Sequence, residues 1–303
     1  MPDLQPTPPA FAQANGIRLC YDTFGAADAP PLLLIMGLAA QMVAWDDGFC
    51  SRLAALGYRV IRFDNRDIGL SSHFSAAGVP DIGAAIGAAL QGQPVQAPYL
   101  LRDMADDALG LLDALGIGSA HVVGASMGGA IAQTMAIHHP TRLRSLTSIM
   151  ATSGAPGLPG PTPAAMAVLL KPTPLDWDGY LAGYQSTWKV LRAGSFADDE
   201  ARDAERARLN FSRGLNPAGV ARQMVAILAS GSRRDQLAAV RVPTLVIHGD
   251  VDPLVPLACG VDTAQAVPGA KLVVVKTMGH ALPISLWPTL IDAIANHAAS
   301  AGA

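Results

Sequence analysis

The chain has 303 residues, 50% of them apolar and 15% charged, with a formal net charge of −3 at pH 7. Such a composition can bury a sizeable core and excludes an extended disordered chain. A near-neutral balance without blocks of like charge excludes a polyanion-binding surface, so neither nucleic acid nor an anionic membrane is an expected partner.

The first stretch, residues 1–10, has neither a basic start nor an apolar centre, so no signal peptide is expected. No apolar run approaches the length of a bilayer span, so no integral membrane association is expected either. Ala10–Ala14 and Ile17–Phe24 flank Asn15-Gly16, a two-residue turn signal that predicts a hairpin. Pro31–Ile35 is a continuous apolar run, as in a strand buried on both faces, and it leads to Gly37. A helix is expected over Gly48–Leu56, a strand over Tyr58–Phe63 and a polar loop over Asp64–Ser71. Residues 74–98, rich in Gly, Ala and Pro, predict a loop with at most a short helix. Apolar residues at helical spacing mark a helix over Tyr99–Leu115.

Ser119–Val123 has strand character and Gly129–His138 reads as a helix. Between them lies Gly124-Ala125-Ser126-Met127-Gly128, a G-x-S-x-G pattern. A serine on so sharp a strand-to-helix turn is strained and has its hydroxyl pushed out of the sheet, which suits a nucleophile. Arg144–Met150 predicts another strand. Composition then changes at Ser153–Pro163, where glycine and proline suit neither helix nor central strand. The core is therefore expected over 1–154 and 237–303, with a helical cap inserted over 155–236. Core strands resume at Val242–Gly249 and Lys271–Val275, and a last helix spans about Pro283–Ala298. Strands alternating with helices predict an α/β fold: a mostly parallel sheet with helices on both faces. Cys20, Cys50 and Cys259 are odd in number and far apart. They suggest small buried hydrophobes in a cytoplasmic protein, with no disulfide framework and no metal site.

A serine hydroxyl needs an adjacent base, and the base needs an orienting acid. Asp252, on the loop after Val242–Gly249, is the expected acid; Asp250 is its rival and better suits a cap on the next helix. His280, after Lys271–Val275, is the expected base. His248 ends a strand and is placed to pack beside Asp252, while His138 and His139 end a helix, His121 lies within a strand, His73 in a loop and His297 in the last helix. The oxyanion donors are expected from the backbone N–H groups of Met127, after the nucleophile, and Leu38, after Gly37. Trp45, Met127, Leu254 and Leu282 neighbour the site motifs and are expected to add apolar, substrate-facing surface. Trp177, Leu181, Tyr184 and Trp188 fall at helical spacing in the insertion, where they either pack the cap helices on each other or on the core, or one or two of them line an acyl or alcohol pocket. The basic residues Arg202, Arg206, Arg208 and Arg213 alternate with acids and predict a solvated helix face.

Five motifs in order, Leu32–Leu38, Phe63–Ser71, Val123–Gly129, His248–Pro253 and Met278–His280, resemble the α/β-hydrolase superfamily over nearly the whole chain. Met36 stands where many members carry histidine. That substitution, with the Asp64–Gly69 loop and the Met278–Pro283 stretch, is similar to the branch of anthracycline (aclacinomycin) methylesterases and related carboxylesterases. The resemblance implies a cofactor-free Ser-His-Asp carboxylic ester hydrolase acting on small to medium apolar esters, with a helical cap over its site. A homodimer is compatible with it. The same triad would serve a perhydrolase (haloperoxidase-like), an acyltransferase or a C–C hydrolase, and a non-catalytic receptor of this fold is the reading from another class.

Overall fold

The computed structural model describes residues 4–194 and 196–301. Among them, eight strands form one sheet: β1 (Ala10–Ala14), β2 (Ile17–Phe24), β3 (Pro31–Ile35), β4 (Arg59–Phe63), β5 (Ala120–Ala125), β6 (Leu143–Ile149), β7 (Thr244–Gly249) and β8 (Lys271–Val275). Their order is β1-β2-β4-β3-β5-β6-β7-β8. β1 runs antiparallel to β2, and β2 antiparallel to β4; every later pairing is parallel. The hairpin at Asn15-Gly16 forms because both residues take positive φ, 49° and 77°, the conformation of a tight two-residue turn.

The helices are α1 (Asp47–Ala55), α2 (Ile82–Leu90), α3 (Leu101–Ala114), α4 (Met127–His138), α5 (Pro163–Leu169), α6 (Trp177–Arg192), α7 (Ala197–Ser212), α8 (Pro217–Ser230), α9 (Arg234–Leu237), α10 (Leu257–Ala266) and α11 (Trp287–Ala301). They cover both faces of the sheet. Leu33 and Ile35 of β3 join a core with Met104 of α3 and Ile131 of α4. Leu32 and Leu34, one pleat over, join Phe49 of α1 and Leu290 of α11 in the opposite core. This two-sided burial is why β3 reads as an unbroken apolar run rather than an alternating one.

Two elements depart from expectation. Residues 82–90 form a full nine-residue helix, α2, started by the Asp81 carboxylate accepting from the Ala84 N–H at 2.9 Å. Its Gly- and Ala-rich sequence carries no clear apolar stripe, so its cap rather than its periodicity starts it. Helix α10 follows β7, but Asp250 does not cap it: Pro256 stands at its N-cap, with no side-chain cap.

Helices α5–α9 all lie between β6 and β7. The two ends of this insertion meet: Arg233 donates its backbone N–H to the Ser153 carbonyl at 2.8 Å. The Arg233 guanidinium also bonds Gln133 at 3.2 Å and the Thr152 carbonyl at 2.8 Å. Burial pulls that guanidinium down to about 10. No helix among the described residues is long and apolar enough to cross a membrane.

Candidate active site

Ser126 sits at the turn from β5 into α4 with φ 57° and ψ −121°, a strained region for a residue with a side chain. The turn is held by the Ser126 N–H donating to the Ile149 carbonyl at 2.9 Å. Its glycines are steric necessities: a Cβ on Gly124 would overlap the Gly128 carbonyl, and a Cβ on Gly128 would overlap the Ile35 carbonyl.

His280 follows β8 and Asp252 follows β7, and the parallel register of these strands delivers both loops to one edge of the sheet, beside Ser126. His280 Nε2 lies 2.9 Å from Ser126 Oγ, and His280 Nδ1 lies 2.8 Å from Asp252 Oδ2. A carboxylate only accepts, so Nδ1 carries the proton and Nε2 accepts from the serine hydroxyl. The other Asp252 oxygen accepts from the N–H groups of Leu254 and Val255 at 2.9 and 2.8 Å. Those bonds fix the carboxylate in a buried place.

Asp250 takes a different part. It accepts from the Thr277 N–H at 2.7 Å and lies 3.2 Å from Lys276 Nζ, so it fastens the loop leading to His280. His248 donates through Nε2 to the Val255 carbonyl at 2.7 Å and stands 3.8 Å from Asp252. Burial lowers its pKa, so it packs there as a neutral ring.

Leu38 and Met127 line the same cavity as Ser126 and His280. Gly37 brings the loop close: a Cβ there would lie 3.0 Å from Ser126 Cβ. Among the described residues neither the Leu38 nor the Met127 N–H donates to another group of the chain. The loop itself is held by two side chains that the sequence did not single out. Asn65 donates to the Met36 carbonyl at 2.8 Å. Gln223 of α8 accepts from the Ala39 N–H at 3.2 Å and donates to the Arg66 carbonyl at 2.8 Å.

The polar loop after β4 is the base of this support. Asp67 pairs with Arg222 at 2.7 Å, Asp64 with Arg213 at 2.5 Å and Arg66 with Asp107 at 2.6 Å. Burial raises the Asp64 carboxyl despite its partner. Burial also opposes ionisation of Asp67, but hydrogen bonds from Arg222, the Phe74 N–H and Tyr99 outweigh it and lower its pKa. The expected solvated basic face is therefore corrected. Arg213 reaches Asp64, while Arg202 and Arg206 reach Asp46 at 2.9 and 3.7 Å; of the four, Arg208 alone is exposed. Carboxylates of the core draw these cations inward.

The cavity has a volume of about 470 Å³. Tyr184, Trp188 and Leu254 line it, together with Leu215, Met224 and Ile227, which periodicity did not mark. Trp45 and Leu282 line a smaller adjoining chamber instead. Trp177 and Leu181 line neither. The Trp177 ring packs edge-on against Phe211 at 5.5 Å with the Arg208 guanidinium 5.1 Å from its centre, so it serves helix packing. All three cysteines are free and buried.

Against known proteins, a model of the alpha/beta hydrolase fold matches residues 30–285. Rhodomycin D methylesterase DauP of Streptomyces sp. (strain C5) is 33% identical over 316 residues, covering 97% of this chain and 99% of that protein. Rhodomycin D methylesterase DnrP of Streptomyces peucetius is 32% identical, covering 91% and 92%. Among solved structures, a hydrolase from Pseudomonas aeruginosa PA01 superposes with a TM-score of 0.70 at 27% identity, covering 95% of this chain and 97% of that one.

Proposed function

The chain belongs to the alpha/beta hydrolase fold family, and on that premise we propose that it hydrolyses carboxylic esters through Ser126, His280 and Asp252. The observation that carries this reading is the continuous relay from Ser126 Oγ to His280 Nε2, 2.9 Å, and from His280 Nδ1 to Asp252, 2.8 Å. In the proposed reaction Ser126 attacks the acyl carbon while His280 takes its proton. His280 then donates that proton to the departing alcohol, and Asp252 stays ionised to hold the ring and balance its charge. The N–H groups of Leu38 and Met127 receive the oxyanion. Water, activated by His280, attacks the acyl-enzyme, releases the acid and returns Ser126 to its starting state.

Small to medium apolar esters fit the proposal. The cavity is walled by Tyr184, Trp188, Met224 and Ile227, and the two Streptomyces relatives are named as methylesterases. Residues 155–236 act in this account as a cap, supplying one wall of the pocket while the core supplies the reacting groups. The test is turnover of p-nitrophenyl acetate and butyrate by wild type and Ser126→Ala. The proposal expects a rate for the variant at least about 10³-fold lower; a wild type no faster than the variant on either ester overturns it.

A further inference from the structure

The loop from β8 into α11 changes its support at His280. Before the histidine it is fastened to the core: the Thr277 N–H donates to Asp250 at 2.7 Å, and the Met278 carbonyl accepts from the Val251 N–H at 3.3 Å. From the histidine onward it is fastened to the insertion. The His280 N–H donates to the Leu191 carbonyl of α6 at 2.7 Å, and the Ile284 N–H donates to Asp199 Oδ2 of α7 at 3.0 Å. The segment that starts with the imidazole is therefore held at both ends by inserted helices.

Asp199 is buried, 3% exposed, and both of its oxygens are used. Oδ1 accepts from Arg206 Nη1 at 2.8 Å, while Oδ2 takes the Ile284 N–H. Arg206 lies two turns along α7 and also reaches Asp46, the residue that caps α1 through the Gly48 N–H. The Arg206–Asp46 contact serves to dock α7 on the core. The second Asp199 bond goes further, because it ties α7 to the backbone of the histidine loop. A backbone N–H bonded to a carboxylate is held more strongly than one bonded to a neutral acceptor.

We propose that Asp199 is a positioning residue for His280, so that the relay from Ser126 to Asp252 is set only while α7 is docked. The inference rests on the ester-hydrolase reading. Asp199 meets no reacting group in it and acts through the loop. His280 lies 2.9 Å from Ser126 and 2.8 Å from Asp252, and a displacement of about 1 Å from such geometry can cost about 10²-fold in rate. Asp199 does not line the cavity that holds Ser126, so the effect belongs in kcat rather than KM.

The test is kcat and KM for p-nitrophenyl butyrate in three variants, per folded protein as set by circular dichroism. Asp199→Ala removes the acceptor, and Asp199→Asn keeps an oxygen for the Ile284 N–H. Ile284→Pro removes the donor from the other side. Pro283 has φ −63° and ψ 146°, the extended backbone that a following proline requires, and Ile284 opens the short helical turn Ile284–Leu286, where proline fits. Asp199→Ala and Ile284→Pro are each expected to lower kcat about 10- to 100-fold with KM within about threefold, while Asp199→Asn stays within about threefold of wild type. Should Asp199→Ala not fold, Ile284→Pro against wild type carries the comparison. Wild-type kcat in either folded variant, a loss carried by KM instead, or an Asp199→Asn variant as slow as Asp199→Ala overturns the positioning role. Absence of any ester turnover by the wild type overturns the hydrolase reading itself, and the positioning role with it.

Discussion

The backbone N–H of His280 donates to the Leu191 carbonyl at 2.7 Å, so the loop that carries the imidazole rests on the last turn of α6. Gly279 makes the approach possible, since a Cβ there would overlap the Leu191 and Arg192 carbonyls. The inserted helices therefore act on the proposed base as well as on the pocket wall.

Gly279→Ala should displace this loop. Overpacking of this kind costs about 1–3 kcal/mol, and the displacement should lower kcat for p-nitrophenyl butyrate by at least about tenfold. Steady-state kinetics with a melting curve checks it. Wild-type kcat in the folded variant would show that the contact does not position His280.

The two aspartates of the loop after β7 should separate cleanly. Asp252→Asn keeps the shape but favours the wrong imidazole tautomer, a change expected to lower kcat by about 10⁴-fold. Asp250→Asn only weakens the tie to Thr277 and Lys276, so its loss should stay within about tenfold. Kinetics of the two variants side by side decides the assignment, and the reverse order contradicts it.

Gln223→Ala and Asn65→Ala should loosen the loop bearing Leu38. Direct loss of an oxyanion donor lowers kcat by about 10²–10³-fold; these side chains act one step removed, so about 10- to 100-fold is expected. KM should change little, and affinity for a trifluoromethyl ketone, which mimics the tetrahedral state, should fall in parallel with kcat. A rise in KM at constant kcat would place these residues in ground-state binding instead.

Acid stability should depend on His121. It lies within β5 and bonds Ser145 Oγ at 2.9 Å, and burial, with Arg144 and His297 nearby, pushes its pKa down to about 4. An unfolded histidine titrates near about 6.5. Between those values the unfolded chain binds the extra proton, so stability falls as pH falls through this window. His121→Asn can keep a bond to Ser145 without titrating. Its Tm deficit at pH 7 should shrink or reverse at pH 4.5; a constant deficit contradicts the assignment.

Much of the candidate site was legible because each proposed reacting group follows an apolar strand. Ser126, Asp252 and His280 end up together because β5, β7 and β8 run parallel, which places the loops after them at one edge. The support of the site was not legible. Asp64 and Asp67 meet Arg213 and Arg222 across 149 and 155 residues, and a pair so distant leaves no local pattern. Helical spacing grouped Trp177 with Tyr184 and Trp188, but it could not tell that Phe211 would cover the first ring while the cavity takes the other two. Periodicity identifies a face, and tertiary packing decides what the face meets.

The central claim is that Ser126 is a nucleophile activated by His280. Its most direct measurement is intact-protein mass spectrometry after treatment with diethyl p-nitrophenyl phosphate. The account predicts one diethylphosphoryl adduct, mapped to Ser126 by peptide fragmentation. The adduct should be absent from Ser126→Ala and form at least about 10³-fold more slowly in His280→Ala. An adduct on another residue, or one that forms equally fast without His280, would contradict it.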